Sequence, residues 1–543
     1  MPQGHGECED FIEWFRQAGG WYHKAVEFRQ DATTGLSLYA TKAEIPADST
    51  VVRMPRSLAL TPQRCRDALK AGLGDGEGDP IFAMPGDWVV FYLFVVRRIL
   101  DVKAWRPDPS SSRVTLTSHN PYVALLPNDT LTPIHFSTSE LDLLQATPLH
   151  GDAIERRKRM LKAFTTAMRW LRRRPDSSPV EALLQGTPSV DDVGNEDEAA
   201  QHPLFSIWTW AATAYSSRAF PPSLVAQPED ESSLVGPVLL PGIDAFNHAR
   251  GVPVTWTYPC VPTDEPEKPA RAAPSAISDA EMEVAITLGY TVPANTQAFN
   301  CYGGKSNEEF LAGYGFVLDT PDLPDDTLTL VLGGKGGEAS GEAAPDAPNN
   351  AFVDPASNAL SLRKPWGSNH YWRMGQGAPA GLLFELRERL LDGAADDAAA
   401  KPELEDSWLL KSHTATPSAP GTPASEAEEQ EGAPSSSVRK AALLARRRDE
   451  ARLAAAQLDG EVLETLEEML CAKRKGFRAA QRQVDGDNGG SSARPEVLRM
   501  IKVYRRGQAM LLDHAVQWTR DQMDELIDII ETLEERVAGG ARQ

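Results

Sequence analysis

The chain of 543 residues sets 55 Lys and Arg against 77 Asp and Glu, a formal charge of −22 at pH 7, and is 41% hydrophobic. Its length allows about two to four domains, and its acidity argues against a protein that coats nucleic acid through phosphate contacts while suiting a partner that is itself basic. No run approaches the roughly 18 apolar residues of a membrane span, and five scattered cysteines (Cys8, Cys65, Cys260, Cys301, Cys471) without a C-x-x-C pair argue against a disulfide framework or a cysteine-rich zinc module.

The opening stretch, MPQGHGECEDFIEWF, is acidic and amphipathic, unlike a secretory or organellar leader, so cytoplasm or nucleus is the expected location. Phe11, Ile12, Trp14 and Phe15 among charges, stopped by Gly19-Gly20, predict a helix over 8–19. Residues 35–60 alternate apolar and polar positions in short runs and predict two or three strands, with Asp48 at a left-handed turn position. Helical patterns follow at 61–71, 87–104, 138–146, 151–174 and 203–219, with 175–202 as a long polar loop. Residues 234–320 return to strands. Glu281 to Thr287 alternates with period two, Pro293-Ala294-Asn295-Thr296 is a hairpin-type turn with Asn295 left-handed, and Gln297 to Tyr302 is the next strand. Residues 333–350 and 411–438 are low-complexity linkers, expected to be disordered, and helices are expected over 380–393, 437–480 and 496–537.

Two stretches carry the chemistry. Leu239-Leu240-Pro241-Gly242-Ile243-Asp244-Ala245-Phe246-Asn247-His248 is an apolar run that breaks at Pro-Gly and presents three polar side chains within five residues. About fifty residues later comes Asn300-Cys301-Tyr302-Gly303-Gly304-Lys305-Ser306-Asn307-Glu308-Glu309-Phe310, leading to Gly313-Tyr314-Gly315-Phe316. Together they resemble the paired motifs of SET-domain protein methyltransferases. The branch is that of the Rubisco large-subunit lysine methyltransferase, ribosomal-protein lysine methyltransferases and the actin-histidine methyltransferase.

The resemblance implies an α+β fold: a SET-domain β-fold of small curved sheets with a knotted C-terminal segment, a helical insertion, and then an all-α substrate-binding domain. On this division 8–60 and 211–320 form the SET domain, 61–210 the insertion and 351–537 the helical domain. The segment Val503-Tyr504-Arg505-Arg506-Gly507-Gln508-Ala509-Met510-Leu511-Leu512 resembles the final helix of that domain. The implied methyl donor is S-adenosylmethionine, with no metal.

The same resemblance assigns the residues. Tyr302 is the catalytic residue, its hydroxyl aimed at the transferring methyl. The donor is held by the strand turn Thr34-Gly35-Leu36, by Arg218, Asp244, Asn247 and His248, and by Tyr314, Gly315 and Phe316. The family has a second glycine where this chain has Ser37. Ser217, Phe220 and Ile243 line the substrate channel, Ser217 and Asp244 through their carbonyls. Ser306 and Asn307 read as the N-cap of the helix that follows. In the histidine-modifying relative an amide and an aromatic stand where Phe220 and Ile243 stand here. An aromatic–aliphatic slot favours an alkyl ammonium that loses its charge on desolvation, and hence lysine. The expected enzyme is a protein-lysine N-methyltransferase. It would act as a monomer on a basic, non-histone protein, a ribosomal or translation protein first of all, with no direct nucleic-acid or membrane contact. A histidine methyltransferase and a catalytically silent SET-fold scaffold remain open alternatives.

Overall fold

The computed structural model describes residues 5–31, 35–74, 80, 82–103, 115–173, 178–190, 201–225, 234–260, 282–320, 324–332, 369–393, 406–410, 436–486 and 493–539. Helix α1 (His5–Gln17) precedes strands β1 (Trp21–Tyr22), β2 (Val26–Asp31), β3 (Gly35–Ala40) and β4 (Ser49–Pro55). Helices α2 (Pro62–Leu73), α3 (Asp87–Val102), α4 (Asn120–Leu125), α5 (Thr138–Asp142), α6 (Pro148–Arg172), α7 (Ser178–Leu184) and α8 (Phe205–Arg218) follow. Then come β5 (Asn247–His248), β6 (Val254–Cys260), β7 (Glu283–Leu288), β8 (Phe299–Asn300) and α9 (Asn307–Tyr314). The chain closes with β9 (Thr327–Val331), β10 (Asn369–Arg373), α10 (Ala380–Gly393), α11 (Ser436–Gly486) and α12 (Pro495–Gly539).

Strands β1, β4, β7 and β6 make one antiparallel sheet in that order, and β2 pairs with β3 as a separate hairpin. Two turns that set its geometry lie at Asp48 and Asn295, both left-handed at φ 61°, as expected from residue types that tolerate that region. Every residue of β7 is buried, and the strand lies between β4 and β6 in the sheet. Helix α3 is apolar nearly all round and packs between α2, α4 and α8. Phe11, Leu38, Val52, Phe91, Trp208, Leu240 and Ile286 belong to one continuous hydrophobic cluster. The helical insertion therefore shares its core with the strands and is not a separate body.

The segment 175–202 is not a loop throughout. Helix α7 lies within it, with Leu183 buried in the main core and its carbonyl accepting a hydrogen bond from Arg98 Nε at 2.9 Å. Seven residues are too few for a helical period to register in a polar stretch. Residues 191–200 lie outside the described residues.

The C-terminal region is helical and also carries an antiparallel ribbon, β9 with β10, running from Thr327↔Arg373 to Val331↔Asn369. Leu328, Leu330 and Trp372 bury against Leu511, Leu512 and Val516 of α12. The sequence reading placed no strand here, since the two partners stand more than thirty residues apart across low-complexity sequence. The expected linkers 333–350 and 411–435 lie outside the described residues, and 436–438 begin α11.

The start of α12 is riveted to the rest. Arg494 forks onto both carboxylate oxygens of Glu140, at 2.9 and 2.8 Å. Arg505, fully buried, donates to the carbonyls of Leu143, Gln145 and Phe477. A third apolar cluster joins Leu144 and Leu149, Leu311 of α9, and Ile501 and Tyr504 of α12.

Candidate active site

The two sequence motifs meet through a parallel pairing. Asn247 lies opposite Phe299 and His248 opposite Asn300, and the Ala249 N–H donates to Asn300 O at 2.9 Å. Strand β8 is anchored from behind. The Tyr290 hydroxyl bridges the Phe299 main chain, and Trp256 Nε1 donates to the Asn300 side chain at 3.3 Å. Tyr302 is thereby carried beside His248. Its N–H donates to His248 Nδ1 at 3.0 Å, and its hydroxyl donates to Phe246 O at 2.6 Å.

Aromatic rings close one side. The Tyr302 and Tyr314 rings stack with centroids 5.1 Å apart, and Phe310 stacks on Phe316 at 4.8 Å. The His248 ring lies 4.9 Å from Phe310. Helix α9 holds these rings in place through the expected N-terminal cap. Ser306 accepts from the Glu309 N–H and Glu309 accepts from the Ser306 N–H, a capping box that completes the S-N-E-E reading. The helix ends at Gly315 with φ +76°, where a Cβ would meet the Leu131 main-chain nitrogen at 2.9 Å. Only glycine fits that turn without displacing the 130–131 segment.

Burial pushes the His248 imidazole down to about 4, with Arg250 acting in the same direction, so the ring is neutral. Since Nδ1 accepts from Tyr302, the ring proton resides on Nε2. That nitrogen is buried and has no hydrogen-bond partner among the described residues. Burial also pushes the Tyr302 phenol up to about 12, against the Arg218 guanidinium that draws it back. Tyr302 is thus a permanent hydrogen-bond donor near neutrality and not a base.

Next to this lies a recess of about 360 Å³, partly open to solvent, lined by Phe11, Leu36, Tyr122, Arg218, Asp244 and neighbours. Arg218, the last residue of α8, donates from Nη1 to Asp244 O at 2.7 Å and lies 3.7 Å from Asp244 Oδ2. Asp244 Oδ1 accepts the Gly242 N–H at 3.1 Å, and Oδ2 accepts the Tyr122 hydroxyl at 2.7 Å. Burial raises the Asp244 carboxyl above its usual range, opposed first by Arg218 and then by these hydrogen bonds. Gly242 makes the turn at φ +86°, and a Cβ there would collide with the Tyr22 hydroxyl.

Of the residues assigned from the sequence, Leu36, Arg218 and Asp244 line this recess, while Asn247, His248, Tyr302, Tyr314, Gly315 and Phe316 belong to the adjoining strand pair and ring cluster. Gly35 opens β3 at φ +73°, and Thr34 lies outside the described residues. Ser37 is fully buried and pairs with the Gln297 side chain. The Ser217 hydroxyl turns back onto Ala214 O at 3.4 Å, within its own helix. Phe220 and Ile243 are core residues. Phe220 packs edge-on against Trp256 at 5.1 Å and Ile243 is fully buried, and neither lines the recess at Asp244. The sequence reading missed Phe11, Tyr22 and Tyr122. All three come from helix α1, strand β1 and helix α4, which reach Asp244 only through long-range packing.

The arrangement suits the implied donor on chemical grounds. A guanidinium beside a carboxylate matches an amino-acid zwitterion, and the unpartnered His248 Nε2–H awaits an acceptor beside flat aromatic faces.

The fold is the SET-domain fold. The crystal structure of the SET domain of LSMT bound to methyllysine and AdoHcy superposes with a TM-score of 0.55, covering 97% of this chain and 96% of that one at 18% identity. No family model matches the chain. Among characterised proteins, the ribosomal lysine N-methyltransferase set10 of Schizosaccharomyces pombe is 26% identical over 318 residues, 58% of this chain and 46% of its own length. The actin-histidine N-methyltransferase of Xenopus tropicalis is 22% identical over 320 residues, 58% of this chain and 44% of its own. The chain thus spans about half the length of these relatives. The resemblance read from the paired motifs, to the SET branch that includes LSMT and ribosomal lysine methyltransferases, holds in both sequence and fold.

Proposed function

We propose that this chain is an S-adenosylmethionine-dependent protein-lysine N-methyltransferase whose substrate is a non-histone protein, a ribosomal or translation protein first of all. The observation that carries the reading is the Tyr302 hydroxyl, committed as donor to Phe246 O at 2.6 Å beside the Arg218–Asp244 recess. When bound, S-adenosylmethionine supplies a sulfonium methyl for in-line displacement. With the Tyr302 O–H spent on a carbonyl, its oxygen lone pairs face away from that bond. They can accept the polarised C–H groups of the methyl and orient the incoming nitrogen.

Arg218 and Asp244 would hold the amino-acid end of the donor. The Asn247 side chain would join them there, His248, Leu36, Gly35 and Thr34 would flank the remainder, and Tyr314, Gly315 and Phe316 would cover it. The Ser217 and Asp244 carbonyls would face the acceptor channel. Such a site needs no acid–base pair, because desolvation beside the rings favours the neutral amine. The lysine assignment is supported by the names of the ribosomal and LSMT relatives. The charge of −22 favours a basic partner met in the cytoplasm or nucleus, and the chain is taken to act as a monomer.

The test incubates the purified protein with labelled S-adenosylmethionine and a lysate lacking the endogenous enzyme, then identifies the labelled residue by mass spectrometry. Methyl-lysine supports the proposal, and methyl-histidine moves the chain to the actin-histidine class. Failure to bind the donor in calorimetry leaves a SET-fold scaffold.

A further inference from the structure

Tyr122 belongs to the helical insertion, yet its hydroxyl reaches the turn that carries Asp244. Its side chain is almost wholly buried, and its ring leans on Phe11 with centroids 6.3 Å apart. The hydroxyl donates to Asp244 Oδ2 at 2.7 Å, while Oδ1 takes the Gly242 N–H at 3.1 Å. Arg218 is left 3.7 Å from Oδ2, and its short contact, 2.7 Å, is with the Asp244 main-chain oxygen. All three side chains border the same recess.

We infer that Tyr122 is a positioning residue for donor binding: by fixing the Asp244 carboxylate it holds the Arg218 guanidinium at the recess, where the amino-acid end of the methyl donor is gripped. The inference rests on the methyl-donor reading above and adds a residue from the insertion to that site. A buried carboxylate held by the Tyr122 phenol and by the Gly242 and Asp244 main-chain amides has a single orientation. With the phenol gone, Oδ2 loses the 2.7 Å donor that fixes it, and the guanidinium loses a fixed counter-charge.

The groups that face Asp244 all bear on the effect. Arg218 is the cation, the Tyr122 hydroxyl and the Gly242 and Asp244 main-chain amides are the direct donors, and Tyr22 and Tyr302 are phenols whose ionisation Asp244 opposes. Arg16 lies near enough to Tyr22 to act on it. Burial already raises the Asp244 carboxyl, and the Tyr122 hydrogen bond counters that. Removing the hydroxyl lets Asp244 take up a proton at higher pH, so the loss of donor affinity grows as pH falls.

The experiment compares the full-length protein with Tyr122→Phe, which keeps the ring and its packing. Calorimetry measures S-adenosylhomocysteine and 5′-methylthioadenosine, which share the adenosine part but differ in the amino-acid end. The expected result is about tenfold weaker binding of S-adenosylhomocysteine, with 5′-methylthioadenosine unchanged. Arg218→Lys should show the same selective loss, and the double variant should lose less than the product of the two. Equal losses for both ligands, or none for either, overturn the inference while leaving the methyl-donor reading intact. A wild-type protein that binds neither ligand overturns both.

Discussion

Tyr302 and His248 are locked together along the chain: the Tyr302 N–H donates to His248 Nδ1 at 3.0 Å, and their rings lie 5.1 Å apart. The parallel register of β5 and β8 sets this contact and ties the Tyr302 phenol to the Asn247-His248 dipeptide. Tyr302→Phe removes the hydroxyl without breaking the main-chain bond. Turnover should fall on the order of 10²-fold, the scale of losing one preorganised polar contact to the transition state, with donor affinity nearly unchanged. Stopped turnover and calorimetric Kd, measured on the same preparation, separate the two effects; an unaltered turnover removes Tyr302 from the chemistry.

Glu308 joins the site to the C-terminal helices. It accepts the Tyr504 hydroxyl at 2.7 Å and the Thr329 hydroxyl at 2.9 Å. Burial pushes its carboxyl up to about 7, against those two hydrogen bonds. The folded form therefore holds a proton that the unfolded form releases near the ordinary 4.5. Its stabilising contribution is complete below that pH and is lost as pH rises toward about 7. Denaturant titrations of wild type should show a fall of about 1–3 kcal/mol across that window, and Glu308→Gln should flatten it. Equal slopes for the two proteins would show that Glu308 titrates normally.

The Tyr22 hydroxyl is buried without a partner among the described residues, while its ring packs on Phe15 and Phe28 at 4.8 and 5.4 Å. An unsatisfied hydroxyl costs stability that a phenyl ring of the same shape does not. Tyr22→Phe should stabilise the fold by about 1 kcal/mol, read as a higher melting temperature. A lower one would mean that the hydroxyl is satisfied in solution.

Gly315→Ala places a Cβ 2.9 Å from the Leu131 nitrogen at a left-handed φ. The expected cost is about 1–3 kcal/mol, with donor affinity reduced because Tyr314 and Phe316 flank the strained turn. Chemical denaturation and calorimetry check the pair of effects; a variant of wild-type stability would contradict the turn geometry.

Local features were legible from sequence because local chemistry decides them. Asp48 and Asn295 adopt the left-handed turns their side chains tolerate, and Ser306 with Glu309 forms the cap its spacing encodes. The motif pair was legible because both stretches are short and unbroken. Tyr122 and Tyr22 were not, since each reaches Asp244 or Gly242 only through packing of distant segments. Ser37 stood out as a departure, but its partner Gln297 lies 260 positions away. Phe220 and Ile243 suggested a slot by comparison alone, and their place in the core reflects apolar burial against Trp256 and the main cluster. The β9–β10 ribbon needs both strands in view at once, and neither has the length to declare itself.

The most direct test of the account pairs wild type with Tyr302→Phe in the labelled-donor reaction on a methylation-deficient lysate, read by residue-level mass spectrometry. The account predicts methyl-lysine on a specific protein with wild type and its near-complete loss with the variant. Label that persists in the variant, or none with wild type, would contradict it.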